Sequence, residues 1–181
     1  MEAEKTKLEG CVILTPRVFA DHRGYFFESY NRRLMDDLIG PVDFVQDNQS
    51  KSSYGVVRGL HFQRGEHAQA KLVRVIEGTV LDVAVDINPE SPTYGQHVAV
   101  ELSAENKKQF YIPRGYAHGF AVLSETAVFS YKCDNFYAPE ADAGILWNDP
   151  ALAIDWQIET AQAIISDKDQ NLPTLAEYVK K

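Results

Sequence analysis

At 181 residues, 45% hydrophobic and 24% charged, the chain has the size and balance of one globular domain spanning residues 1–181, which excludes extensive disorder. A formal net charge of −8 excludes a nucleic-acid partner, which needs a basic field, but not a small anion held by a few clustered arginines. With only Cys11 and Cys133, a charged N-terminus over residues 1–7 and no bilayer-length apolar run, a disulfide scaffold, signal peptide and membrane partner are not expected, and a cytoplasmic location is.

In chain order, Tyr25-Phe26-Phe27-Glu28-Ser29-Tyr30 is aromatic and β-prone. Residues 32–39 read as a short helix stopped by Gly40-Pro41. Over residues 56–63, unbroken alternation puts Val57, Gly59, His61 and Gln63 on one face and Val56, Arg58, Leu60 and Phe62 on the other. Residues 71–76 and 79–87 alternate as well, joined by Glu77-Gly78 as a hairpin signal. Pro89, Pro92 and Gly95 punctuate the loop before residues 96–102, and residues 120–132 continue the pattern with a bend at Ser124-Glu125-Thr126. A second short helix is expected over residues 174–180. No repeat or composition shift marks another domain. Many short strands with frequent turns predict an all-β sandwich or barrel, a jelly roll foremost, with short peripheral helices.

Of His22, His61, His67, His97 and His118, any one is more often a satisfied structural group than a working one. His61 stands apart because Arg58 precedes it in Arg-Gly-Leu-His-Phe-Gln and Lys71 opens the next strand, and titratable groups gathered on neighbouring strands are costly to bury without a purpose. Pro113-Arg114-Gly115-Tyr116-Ala117-His118 resembles the second half of the cupin signature, a turn that delivers a histidine into a strand. The first half carries His-x-His in metal-binding cupins, whereas this chain has His61-Phe62-Gln63 and leaves His67 in a polar turn, so a metal is disfavoured. Tyr131 shares a face with Phe129, for which core packing is the ordinary reading. Asp82 and Asp86 project from one strand face and need a partner, for which Lys71 is a candidate.

Taken together, these segments resemble the 3,5-epimerases of dTDP-4-keto-6-deoxyglucose, which make the precursor of dTDP-L-rhamnose. The likeness runs from Arg17-Val18-Phe19 and Arg23-Gly24-Tyr25-Phe26-Phe27-Glu28 through Gln46-Asp47-Asn48, Arg58-Gly59-Leu60-His61-Phe62-Gln63 and Lys71-Leu72-Val73-Arg74. It continues to Asp82-Val83-Ala84-Val85-Asp86, the His118 turn, Ile145-Leu146-Trp147-Asn148-Asp149 and Ser166-Asp167-Lys168-Asp169. The resemblance implies a cupin-type double-stranded β-helix, a homodimer, no metal or other cofactor, and a dTDP-linked 4-keto-6-deoxy sugar as substrate. It implies His61 as base oriented by Asp169, Asp82 near the same centre, Tyr131 as acid on the opposite ring face, and Lys71 at the C4 oxygen with His118 close by. It implies nucleotide and diphosphate contacts from Arg23, Glu28, Gln46, Asn48, Arg58 and Lys168, and one from Asp142, where the family often has Glu.

The rival readings are an epimerase acting at one carbon, a ketoisomerase on a related nucleotide keto-sugar, a sugar-nucleotide-binding cupin without catalysis, and a metal-dependent cupin oxygenase. Joint presence of His61, Lys71, Tyr131 and Asp169 favours the two-faced epimerase.

Overall fold

A computed structural model describes residues 1–179. Period-two runs of β-branched and aromatic residues, cut short by turns, form two antiparallel sheets and one separate hairpin. The six-stranded sheet has the order β1 (Glu2–Lys5), β2 (Val12–Thr15), β10 (Gln109–Ile112), β7 (Lys71–Glu77), β12 (Thr126–Cys133), β5 (Gln46–Ser53). The five-stranded sheet has the order β13 (Asp142–Gly144), β6 (Val57–Gln63), β11 (Tyr116–Val122), β8 (Thr79–Asp86), β9 (His97–Ser103). The steps from β6 to β7, β7 to β8, β9 to β10 and β11 to β12 each cross between sheets, which is the expected cupin-type jelly roll. β3 (Val18–Asp21) and β4 (Gly24–Phe27) pair only with each other, as an exposed arm.

The core is layered. Between the sheets lie Val73, Val80, Leu102, Phe110, Phe120 and Phe129. Phe120 of β11 and Phe129 of β12 stack at 4.2 Å and 19°, one ring from each sheet. The outer face of the five-stranded sheet is covered by Trp147, Leu152, Trp156 and Leu175 from the C-terminal segment, so β8 is buried on both faces. The outer face of the six-stranded sheet is covered through Met35 of α1 (Arg32–Ile39). This helix has the bounds its sequence predicts: Asn31 accepts the Arg33 and Leu34 N–H groups as N-cap, and Gly40 ends it. The other helices are α2 (Asp167–Gln170) and α3 (Leu175–Val179). The last is the second expected helix, except that Lys180 lies outside the described residues.

Two local expectations are overturned. Glu77-Gly78 does not close a hairpin, because β7 and β8 belong to different sheets. Only Gly78 separates them, at φ 79°, and a Cβ there would stand 2.0 Å from the Thr126 carbonyl oxygen. A single left-handed residue against a neighbouring backbone turns the chain into the opposite sheet instead of back along its own. The second correction is in β6, where alternation breaks. His118 pairs with His61 and Phe120 with Arg58, two steps along β11 against three along β6. The extra residue is a β-bulge, and it reverses the phase of the strand. Arg58 and His61 consequently share the inner face, while Leu60 and Phe62 join the outer core.

Gly59, at φ 138°, makes the bulge sterically feasible, since an added Cβ would lie 2.6 Å from Gly119 Cα. Gly59→Ala is expected to destabilise the fold by about 2–4 kcal/mol, through backbone strain plus overlap. Urea unfolding checks this; a loss within about 0.5 kcal/mol, as at an ordinary surface site, would mean that the bulge is not tightly packed.

Candidate active site

The bulge turns His61 toward α2, which supplies Asp169. Ser166 caps α2 by accepting the Asp169 N–H at 3.1 Å. The Asp169 carboxylate then reaches β6 at two points. One oxygen lies 2.8 Å from His61 Nε2, and the other accepts the Gly59 N–H at 3.3 Å. Burial pushes this carboxyl up, but hydrogen bonding and the charge attraction of His61, with the Gly59 N–H, more than offset it and leave it below the ordinary carboxylate range. An ionised carboxylate only accepts, so His61 Nε2 carries the proton and Nδ1 is left as the basic nitrogen of the neutral ring.

A cavity of about 620 Å³ opens between the two sheets. Arg58, His61 and His118 enter it from the five-stranded sheet, and Asn48, Lys71 and Tyr131 from the six-stranded sheet. Beside it, a recess of about 180 Å³ adds Gln46, Gln63, Gln69, Tyr137 and Asp142 and shares Asn48, His61, Lys71, Tyr131 and Lys168 with the larger space. His61 and Tyr131 thus face this space from opposite sheets.

Burial lowers the Lys71 ammonium below the ordinary lysine value, against the attraction of Cys133, Asp82 and Asp142. Among the described residues Lys71 makes no direct ion pair; its Nζ lies 6.0 Å from the centre of the Tyr131 ring. Burial raises the Tyr131 hydroxyl above the usual tyrosine value, opposed by Arg58, so it stays protonated near neutrality. The expected Asp82 partner needs correction. Asp82, wholly buried, bonds His118 Nε2 at 2.9 and 3.1 Å, and Lys71 contributes only through its charge. Two residues apart on the β11 ladder from Asp82's pairing position, His118 is the nearer donor. Burial keeps His118 below the ordinary histidine value, opposed chiefly by Asp82. Asp86 is taken up elsewhere, by the hydroxyls of Ser91 and Thr93 in the following loop.

Most of the remaining expected residues gather at the mouth. Gln46 donates to Asn48 at 3.1 Å, and Lys168 pairs with Asp142. Arg23 and Glu28 do not join them: both are exposed on or beside the β3–β4 arm, and Arg23 pairs there with Asp21 at 2.6 Å. Sequence reasoning missed Ser52, whose buried hydroxyl accepts from Arg58 Nε at 3.1 Å and so orients the guanidinium. β5 is polar at every position, so its sequence offers no alternation that would single Ser52 out. It also missed Tyr137, whose phenol donates to Asp142 at 3.4 Å. Among the described residues, no group of three or more His, Cys, Asp or Glu side chains is arranged to hold a metal.

Comparison with known proteins bears on this arrangement. The family model described as dTDP-4-dehydrorhamnose 3,5-epimerase matches residues 5–177. An Escherichia coli protein named dTDP-4-dehydrorhamnose 3,5-epimerase is 55% identical over 181 residues, covering 99% of this chain and 97% of that protein. The crystal structure of the Elizabethkingia anophelis enzyme of that name superposes with a TM-score of 0.94 at 58% identity, covering 98% of this chain and 97% of that one. A dTDP-6-deoxy-D-glucose-3,5-epimerase from Legionella pneumophila, solved with dTDP-4-keto-L-rhamnose, gives a TM-score of 0.93 at 47% identity, with coverages of 97% and 93%. A match this long, at such identities and with the same backbone, makes the chain a member of the dTDP-4-dehydrorhamnose 3,5-epimerase family.

Proposed function

We propose that this chain inverts C3 and C5 of dTDP-4-dehydro-6-deoxy-D-glucose to give dTDP-4-dehydro-L-rhamnose, in the route to dTDP-L-rhamnose, without metal or other cofactor. The observation that carries the reading is the mounting of His61 and Tyr131 on opposite sheets around one cavity that Lys71 also lines. Neutral His61 removes the hydrogen beside the C4 ketone, and the electron pair moves onto the ketone oxygen as an enolate. Asp169 holds the imidazole in the required tautomer and steadies the imidazolium that forms. The Lys71 ammonium faces the enolate oxygen, an interaction worth about 3–4 kcal/mol by analogy with oxyanion-hole donors. Tyr131 returns a proton to the carbon from the other face; the His61 imidazolium then gives its proton up to solvent, and the tyrosinate regains one from it. Asp82 acts through His118 in this reading.

Arg58, steadied by Ser52, takes the diphosphate together with Lys168, and Gln46, Asn48 and Asp142 complete the nucleotide contacts. Arg23 and Glu28 serve from a second copy. The arm that carries them presents Phe19, Tyr25 and Phe26 at 52%, 61% and 68% exposure, an apolar surface suited to burial in a homodimer. Two unpaired, buried cysteines fit a reducing cytoplasm.

The central experiment is NMR in deuterated water with dTDP-4-keto-6-deoxyglucose, following deuterium uptake and product stereochemistry in one tube. His61→Asn is expected to lose uptake at both carbons. Tyr131→Phe is expected to keep exchange while inversion falls by about 10²–10⁴-fold, since only the delivered proton is lost. Equal falls in exchange and inversion for Tyr131→Phe would move this tyrosine to binding or enolate stabilisation.

The pH profile tests Lys71. Its pKa is depressed by burial and its charged form stabilises the enolate, so kcat falls as pH rises through a value below the ordinary lysine pKa of about 10.4. Lys71→Arg, which stays protonated, is expected to carry that limb to higher pH even with a lower maximum. An unmoved limb would assign the titration to another group.

The shared site is tested by mixing. Arg23→Ala and His61→Asn proteins, each defective alone, are combined by reversible dissociation. A site built from two copies regains about one quarter of wild-type activity, because half the dimers are mixed and each has one intact site. No recovery would place Arg23 in its own chain's cavity.

A further inference from the structure

Between β12 and β13 the chain forms an irregular lip at the recess, residues 134–141, and side-chain carboxamides grip its backbone. Gln69 donates to the Asn135 carbonyl at 2.8 Å. Asn135 accepts the Phe136 N–H at 2.9 Å and donates to the Glu66 carbonyl at 2.9 Å. Gln46 accepts the Tyr137 N–H at 3.0 Å. Gln63 contributes most: it donates to the Phe136 carbonyl at 3.1 Å and the His67 carbonyl at 2.7 Å, and accepts the Ala138 N–H at 2.7 Å. Gln63 also faces Asp142 across the β6–β13 ladder.

One buried amide therefore fixes the middle of the lip, residues 136–138, by its side chain and the first residue beyond it, Asp142, by its backbone. Core packing does not explain such a grip, because Phe136 and Tyr137 expose 66% and 56% of their surface. The lip instead places Tyr137 in the recess beside Asp142 and Lys168. Gln63 stands where a metal-binding cupin would carry its second histidine, and here that position serves the lip.

We propose that Gln63, aided by Gln69, is a positioning residue that sets affinity for the nucleotide half of the substrate without touching the reacting ring. The proposal rests on the nucleotide keto-sugar reading. A lip already held in its bound conformation loses little freedom when ligand arrives, whereas a loosened one must be ordered at the expense of binding. Although Gln63 shares β6 with His61, His61 is held by Asp169 and Tyr131 by the β12–β7 ladder, so removing the clasp is expected to act on binding in the ground and transition states alike.

The test compares Gln63→Met and Gln69→Met with wild type by calorimetric titration of dTDP and by steady-state kinetics, with circular dichroism as a check of folding. The expected result is a rise of about tenfold in Kd for dTDP and in KM for Gln63→Met, a smaller rise for Gln69→Met, and kcat within about twofold of wild type. A purely structural role predicts a lower Tm with Kd and KM unchanged, and that result overturns the proposal, as does a fall in kcat with KM unmoved. If Gln63→Met fails to fold, Gln69→Met, only half-buried in wild type, decides on the same criteria. Wild type that fails to bind dTDP overturns the nucleotide-sugar reading and the clasp with it; wild type that binds, with unaltered variants, overturns the clasp alone.

Discussion

The two-pronged hold of Asp169 on β6 is the contact around which the site is organised. One oxygen takes the Gly59 N–H inside the bulge, and the other takes the His61 imidazole that the bulge has turned inward. An inward carboxylate is costly to desolvate unless donors surround it, and here the donors are the irregular backbone and the side chain it delivers. The same extra residue carries Arg58 to the His61 face. With regular alternation, the proposed diphosphate ligand and the proposed base would lie on opposite sides of the sheet. Irregularity in an otherwise regular strand is thus concentrated where the proposed phosphate ligand and the proposed base share a wall.

Electrostatics reinforces that economy. A chain with formal net charge −8 gathers Arg58, Lys71 and Lys168 around one cavity and its recess. Lys168 is tied to Asp142, and the two histidines face carboxylates, but Lys71 is held only by charges at a distance. An ammonium lowered by burial and lacking a direct anion suits the proposed enolate, whose negative charge would appear only during reaction, where binding energy accelerates a chemical step. Burial pushes the Cys133 thiol up to about 11, with Lys71 nearby opposing the rise.

What could be read in the sequence was mainly local. The bounds of α1 follow from Asn31 and Gly40, and the strands of the sandwich follow from alternation and turn residues. Which strands pair is decided at long range, so Glu77-Gly78 resembled a hairpin although Gly78 turns the chain into the other sheet. The phase break in β6 depends on Gly119 of β11, sixty residues away in the sequence, and no pattern within β6 announces it. The cavity residues came from recognised motifs rather than spacing. The holding roles of Ser52, on Arg58, and Gln63, on the backbone of residues 136–138, were not legible because an amide or hydroxyl in a strand has no periodicity to distinguish orientation from solvation. Arg23 and Glu28 were legible as residues but not as places, since one chain's fold leaves them outside its own cavity.

The stacked pair Phe120 and Phe129 has a consequence beyond filling volume. Each ring belongs to a different sheet, and both line the floor of the cavity. They act as a gauge block between two walls, one bearing His61 and the other Tyr131. Stereochemical fidelity in such a design is a matter of wall separation: a looser gauge weakens the far-side delivery of a proton before it weakens removal on the near side. A smaller ring at either position would therefore change the separation of His61 and Tyr131 while leaving both side chains in place.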